Sequence, residues 1–104
     1  MSRIRFLTVP KNDAGIEEYN TGIEHTENMI ESKLGEDEFW KLARLGVFKE
    51  FNEKYDLLID DYESEIIPAE AIRKSYSLIG SVPGEFIRAC DKAIEYNTFL
   101  ALDF

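Results

Sequence analysis

Cysteine, histidine and positive charge are all scarce in this sequence. Cys90 is the lone cysteine, so no internal disulfide can form, and a single thiol fits a reducing compartment. The helical spacing of its apolar neighbours predicts a small buried hydrophobe. His25 is the lone histidine, and with one cysteine it gives too few nitrogen and sulfur ligands for a zinc site. A Ser-His or Cys-His nucleophile would need His25 beside a serine or Cys90 in space, and nothing local points there. A solvent-facing histidine on a helix is the expectation. Twelve Lys and Arg stand against 21 Asp and Glu, a formal net charge of −9. So negative a chain repels phosphate backbones, which argues against nucleic-acid binding. No apolar run approaches the roughly 18 residues of a membrane span, and Ile4–Val9 is too short for the core of a signal peptide. The chain is therefore expected to stay in the cytoplasm where it is made. The six glycines, at 15, 22, 35, 46, 80 and 84, form neither GxGxxG nor a Walker loop. Nothing in the sequence asks for a cofactor.

What is present suits one folded domain over residues 1–104. Apolar residues make up 44% and aromatics 12%, enough for a core without staples. Ile4–Val9 alternates as a strand, with Ile4, Phe6 and Thr8 on one face and Arg5, Leu7 and Val9 on the other. Asn12 or Asp13 is a suitable N-cap for a helix over about 14–33, with Ile16, Tyr19, Ile23 and Ile30 on one stripe. The glutamates at 17, 18, 24, 27 and 31 form its solvated face. Gly22 weakens that helix and Gly35 stops it. Residues 37–45 predict a short helix, and Phe48, Phe51 and Tyr55 a second over 47–54. Phe39, Trp40 and Leu42 read more readily as core than as an exposed anchor. Leu57–Ile59 is a brief strand or a buried loop. Pro68 and Pro83 each suit the first position of a helix. The alternation over 98–104 predicts a strand, with the N-terminal strand as its partner. The fold class is α+β, with four to five helices and a small sheet that includes both terminal strands.

Charge is concentrated in one place. Residues 53–70 hold seven acids and one base, a net −6, with Tyr55 and Tyr62 interleaved. Carboxylates accept paired hydrogen bonds from Arg, and Tyr gives contact area at low entropic cost. Together they suit a Lys/Arg-rich protein surface. The plainer reading is a solvated acidic loop ahead of a helix. An EF-hand loop needs Gly at its sixth position; starting from Asp56 that residue is Asp61, and from Asp60 it is Glu65, so neither frame fits. With 21 acids, carboxylate pairs arise without meaning, and no pair singles out glycosidase-like chemistry.

Asp60-Asp61-Tyr62-Glu63 followed by Ile67-Pro68 resembles the immunity proteins of bacterial contact-dependent growth inhibition and polymorphic toxin systems. Barstar-like inhibitors share the logic of an acidic patch laid over the basic active site of a nuclease. The resemblance implies a cytoplasmic inhibitor, monomeric until it binds, that blocks a cognate basic toxin domain, with a nuclease as the favoured target. On that view Asp56, Asp60, Asp61, Tyr62, Glu63 and Glu65 make the central contacts, and the chain has no catalytic residues. Two rival readings stand beside it. One is a cytoplasmic adaptor or regulatory subunit, which would dock through an apolar patch. The other is a small carboxylate-dependent enzyme, which would need a concave pocket with a strongly shifted carboxyl.

Overall fold

A computed structural model describes residues 4–61 and 63–104 of the chain. Among them the elements run β1 (Arg5–Pro10), α1 (Asp13–Asn20), β2 (Met29–Leu34), α2 (Glu36–Arg44), α3 (Val47–Tyr55), β3 (Ser64–Pro68), α4 (Ala69–Lys74), α5 (Tyr76–Ile79), α6 (Glu85–Tyr96) and β4 (Phe99–Asp103). The fold is α+β, with six helices among the described residues and a four-stranded sheet in the order β2-β1-β4-β3. All neighbouring strands are antiparallel. The two terminal strands pair at the centre, Leu7 opposite Leu102, as their alternation predicts.

The register sorts the strand residues into two sets. Arg5, Leu7 and Val9 share a face with Ile30 and Leu34, with Leu100 and Leu102, and with Ile67. Against this face lie Phe39 and Leu42 of α2, Val47, Phe48 and Phe51 of α3, Ile72 of α4, Ile79 of α5, and Phe86, Cys90 and Ala93 of α6. Phe86, Ala89, Cys90 and Ala93 recur at helical spacing, and the small ones let α6 approach the sheet closely. Each large side chain removed from water there contributes about 1.5–3 kcal/mol. Cys90 is fully buried, and burial pushes its thiol pKa up, so it acts as a core hydrophobe. No helix among the described residues is long and apolar enough to cross a membrane.

Several elements differ from the sequence expectation. The helix expected over 14–33 ends at Asn20, and 29–34 is a strand. Asn12 caps the helix start, its Oδ1 accepting from Gly15 N–H at 2.9 Å. The end is a Schellman motif: Ile23 N–H donates to Glu18 O and Gly22 N–H to Tyr19 O, with Gly22 left-handed at φ +82°. Gly22 thus terminates the helix where it was expected to weaken its interior. Ile30 and Leu34 lie four apart, which imitates helical spacing; on the strand, both face the helices. Accordingly Glu24 and Glu27 lie in a loop and Glu31 on β2. Half-buried Glu18 accepts from Thr26 and Asn28 instead of facing water. His25 is solvent-exposed as expected, but on that loop, at φ +60°.

Residues 64–68, expected as acidic loop, form the edge strand β3. Pro68 ends it and caps α4, and an edge position tolerates the missing N–H. Past Pro68 the helix breaks at Ser75 into α4 and α5, which takes the count to six among the described residues where four to five were expected. The last helix starts at Glu85, two residues beyond Pro83. Leu57–Ile59 is a loop in which Ile59 is buried and Leu58 is 74% exposed.

Candidate functional site: the acidic loop and the aromatic edge of α2

The loop from Asp56 to Glu63 joins α3 to β3. Asp56 caps α3 in a left-handed conformation at φ +55°, which turns the chain out of the helix. Asn52, one turn before the helix end, then holds the loop like a peptide partner. Its Nδ2 donates to Ile59 O at 2.9 Å, and its Oδ1 accepts from Ile59 N–H at 2.7 Å. These two bonds draw Ile59 into the core and leave Leu58 outside.

The second anchor is Arg5 on β1. Its guanidinium is buried, donating from Nε and Nη2 to the two oxygens of Asp61, each at 3.0 Å, and from Nη1 to Glu36 at 2.8 Å. The same guanidinium lies 3.9 Å from the centre of the Phe39 ring. A fork of donors between two carboxylates, backed by an aromatic face, is the geometry Arg favours when desolvated. Hydrogen bonds from Arg5, and then from Trp40 Nε1 at 2.8 Å, hold Glu36 below the usual carboxylate range. That is a structural ion pair, and the opposite of the raised carboxyl a general acid requires.

The six residues singled out by sequence therefore have different fates. Asp61 is tied to Arg5, and Glu65 is half-buried, accepting from Leu58 N–H and Ile66 N–H, each at 2.9 Å. Asp56, Asp60 and Glu63 are exposed and make no ion pair with the described residues. The Asp60 carboxylate accepts from the neighbouring Asp61 amide at 2.8 Å, and its backbone oxygen from Glu63 N–H at 3.3 Å. Tyr62 lies outside the described residues. The remaining acids of the 53–70 stretch pair along their helices, Glu53 with Lys49 and Glu70 with Lys74.

Trp40 was the residue sequence reasoning placed on the wrong side. Phe39 and Leu42 are core, as expected, but Trp40 remains 45% exposed. Its ring packs edge-on against Phe39 at 5.0 Å, and its indole N–H is fixed by Glu36. Beside it runs a shallow groove of about 420 Å³ that also touches Ala43, Lys49, Asp60 and Asp61. The helical period carried the signal: with 39 and 42 inward, 40 turns outward. A held aromatic ring next to the exposed Asp60 carboxylate can receive guanidinium or ammonium groups. Among the described residues no group of three or more His, Cys, Asp or Glu side chains is arranged to hold a metal ion. Neither protein-family models, nor curated sequences, nor solved structures give a match to this chain.

Proposed function

We propose that this chain is a protein-binding module that captures a basic partner through Asp56, Asp60, Glu63 and Trp40. In its specific form the proposal is an immunity protein: a cytoplasmic, stoichiometric inhibitor that covers the active site of a cognate toxin domain, a nuclease by preference. The observation that carries it is the anchored loop. Asn52 holds the backbone of Ile59 and Arg5 holds the Asp61 side chain, while Asp60 lies in the groove beside a half-exposed tryptophan and Glu63 is exposed on the same loop. Order before binding lowers the entropic cost of association, and Trp is a favoured anchor at interface centres. The excess of negative charge steers a cationic partner and makes its association rate salt-sensitive.

The test is protection of cells expressing the toxin domain encoded in the adjacent reading frame. Wild type should protect. The double variant Asp60→Lys/Glu63→Lys should keep its fold and lose protection, with affinity reduced by about 2–5 kcal/mol. Asp61 is left intact because its replacement would remove two of the hydrogen bonds that hold the buried Arg5. Full protection by the double variant would remove the loop from the interface, and no protection by wild type would end the immunity reading.

A further inference from the structure

The second face of the sheet differs from the first. Phe6 and Thr8 of β1 share it with Met29, Glu31 and Lys33 of β2, with Ala101 and Asp103 of β4, and with Ser64 of β3. A groove of about 480 Å³ lies among these strands, the end of α1 and the turn that follows. We infer that this groove binds a small organic cation, an ammonium or guanidinium group joined to an apolar body.

The apolar half of the groove is Phe6, Met29, Ile23 and the ring of Tyr19. Phe6 and Ile23 stay 40% and 50% exposed, so their surface is available to a ligand. The Tyr19 ring is fixed edge-on against Phe99 at 5.7 Å. The polar half is anionic. Asp103 is the cross-strand neighbour of both Phe6 and Ser64, which sets its carboxylate beside the aromatic wall. It accepts from Ser64 Oγ at 2.9 Å and, weakly, from Tyr19 O–H at 3.4 Å. A carboxylate offers about four acceptor positions, so capacity is left toward the groove. Burial, and then the Asp103 charge, push the Tyr19 pKa up to about 12, which keeps its hydroxyl a neutral donor. Glu31 is held by His25 Nδ1 at 3.0 Å, with Glu24 on the other side of the imidazole.

Among the described residues no Lys or Arg lines the groove. Three carboxylates against one imidazole leave it anionic in either state of the histidine. Lys33, the other cross-strand neighbour of Phe6, lies outside the lining. An aromatic face next to a carboxylate is the pairing that holds a cation with an apolar body. The volume is that of a small-ligand site. None of the lining residues belongs to the loop over 56–63 or to the Trp40 groove, so this site stands independently of the protein-binding reading.

The experiment is a two-dimensional NMR titration of the whole chain with phenethylamine, its neutral isostere 2-phenylethanol, and a short acetylated lysyl peptide. Phenethylamine should shift the resonances of Phe6, Tyr19 and Met29 saturably. The neutral isostere should bind at least about tenfold more weakly, and Asp103→Asn and Glu31→Gln should each weaken the amine by about tenfold. Should either variant lose its fold, the other and the isostere comparison carry the result. Equal binding of the alcohol, shifts confined to the 56–63 loop, or no saturable shift at millimolar amine would overturn the inference. Tighter binding of the lysyl peptide than of the amine would replace the small ligand by a protein partner.

Discussion

Two acidic stretches, Glu36–Glu38 and Asp56–Glu65, look alike in sequence and behave differently in the fold. The first is turned largely inward. Glu36 binds Arg5 and Trp40. Glu38 reaches across to α6 and accepts from Glu85 N–H at 3.1 Å and Phe86 N–H at 2.8 Å. It thereby caps a helix whose own N-cap, Gly84, has no side chain to do so. Gly84 is required there: at φ +152° its missing Cβ would lie 2.6 Å from the Glu38 carboxylate. The second stretch places Asp61 and Glu65 inward but leaves Asp56, Asp60 and Glu63 in solvent. Charge density along a sequence is thus a poor measure of the charge a surface offers. What separates the two stretches is whether a donor lies within reach.

Removing the donor that joins them gives the largest expected effect. Arg5→Met keeps the apolar stem but removes the guanidinium that Asp61 and Glu36 share. Losing these charge-assisted hydrogen bonds from a half-buried cluster costs about 1.5–3 kcal/mol, to be read from the denaturant midpoint. Should the loss be below 1 kcal/mol, the Arg5 cluster would be no more than a surface pair. Glu38→Ala should cost less, about 0.5–2 kcal/mol, because it removes a helix cap. Hydrogen exchange should quicken first in the opening turn of α6.

Acid sharpens the same contrast. The Glu36 pKa lies below its ordinary value in the fold, so its contribution is fully present above about pH 4.5 and is lost as pH falls through the lowered value. The stability gap between wild type and Glu36→Gln should therefore close as pH drops below that point, followed by urea titration at successive pH values. The smallest effect on stability is expected for Asp60→Lys/Glu63→Lys, within about 0.5 kcal/mol per substitution, since neither side chain has an ion pair to lose among the described residues. A large destabilisation would mean that the loop's exposed acids are structural after all.

Much of the architecture was legible in sequence because one period dominated locally. Leu7 and Val9 alternate with Phe6 and Thr8, and α2, α3 and α6 carry clear apolar stripes. The failures lie where two periods coincide. Ile30 and Leu34 satisfy both a helix and a strand, and a left-handed Gly22, invisible in composition, decides between them. β3 was hidden because an edge strand needs few apolar residues and tolerates Glu65 and Pro68. The site was half legible: Asp60 and Glu63 are exposed as expected. The pairing of Asp61 with Arg5 spans nearly the distance from the first strand to the third and leaves no local mark. Trp40 was readable from its phase on α2, but its aromatic neighbours suggested core.

The placement of β4 has a consequence for the order of assembly. Residues 99–103 bond to β1 on one side and β3 on the other, so the sheet has no centre until they have been synthesised. Before then β1 and β2 can pair only as an isolated hairpin-like unit, which is marginal in water. Closing the sheet joins segments from opposite ends of the sequence, a slow step because chain entropy is lost before contacts repay it. A nascent chain on the ribosome would hold its core helices over an unfinished sheet, and folding would complete only after Asp103 had cleared the exit tunnel.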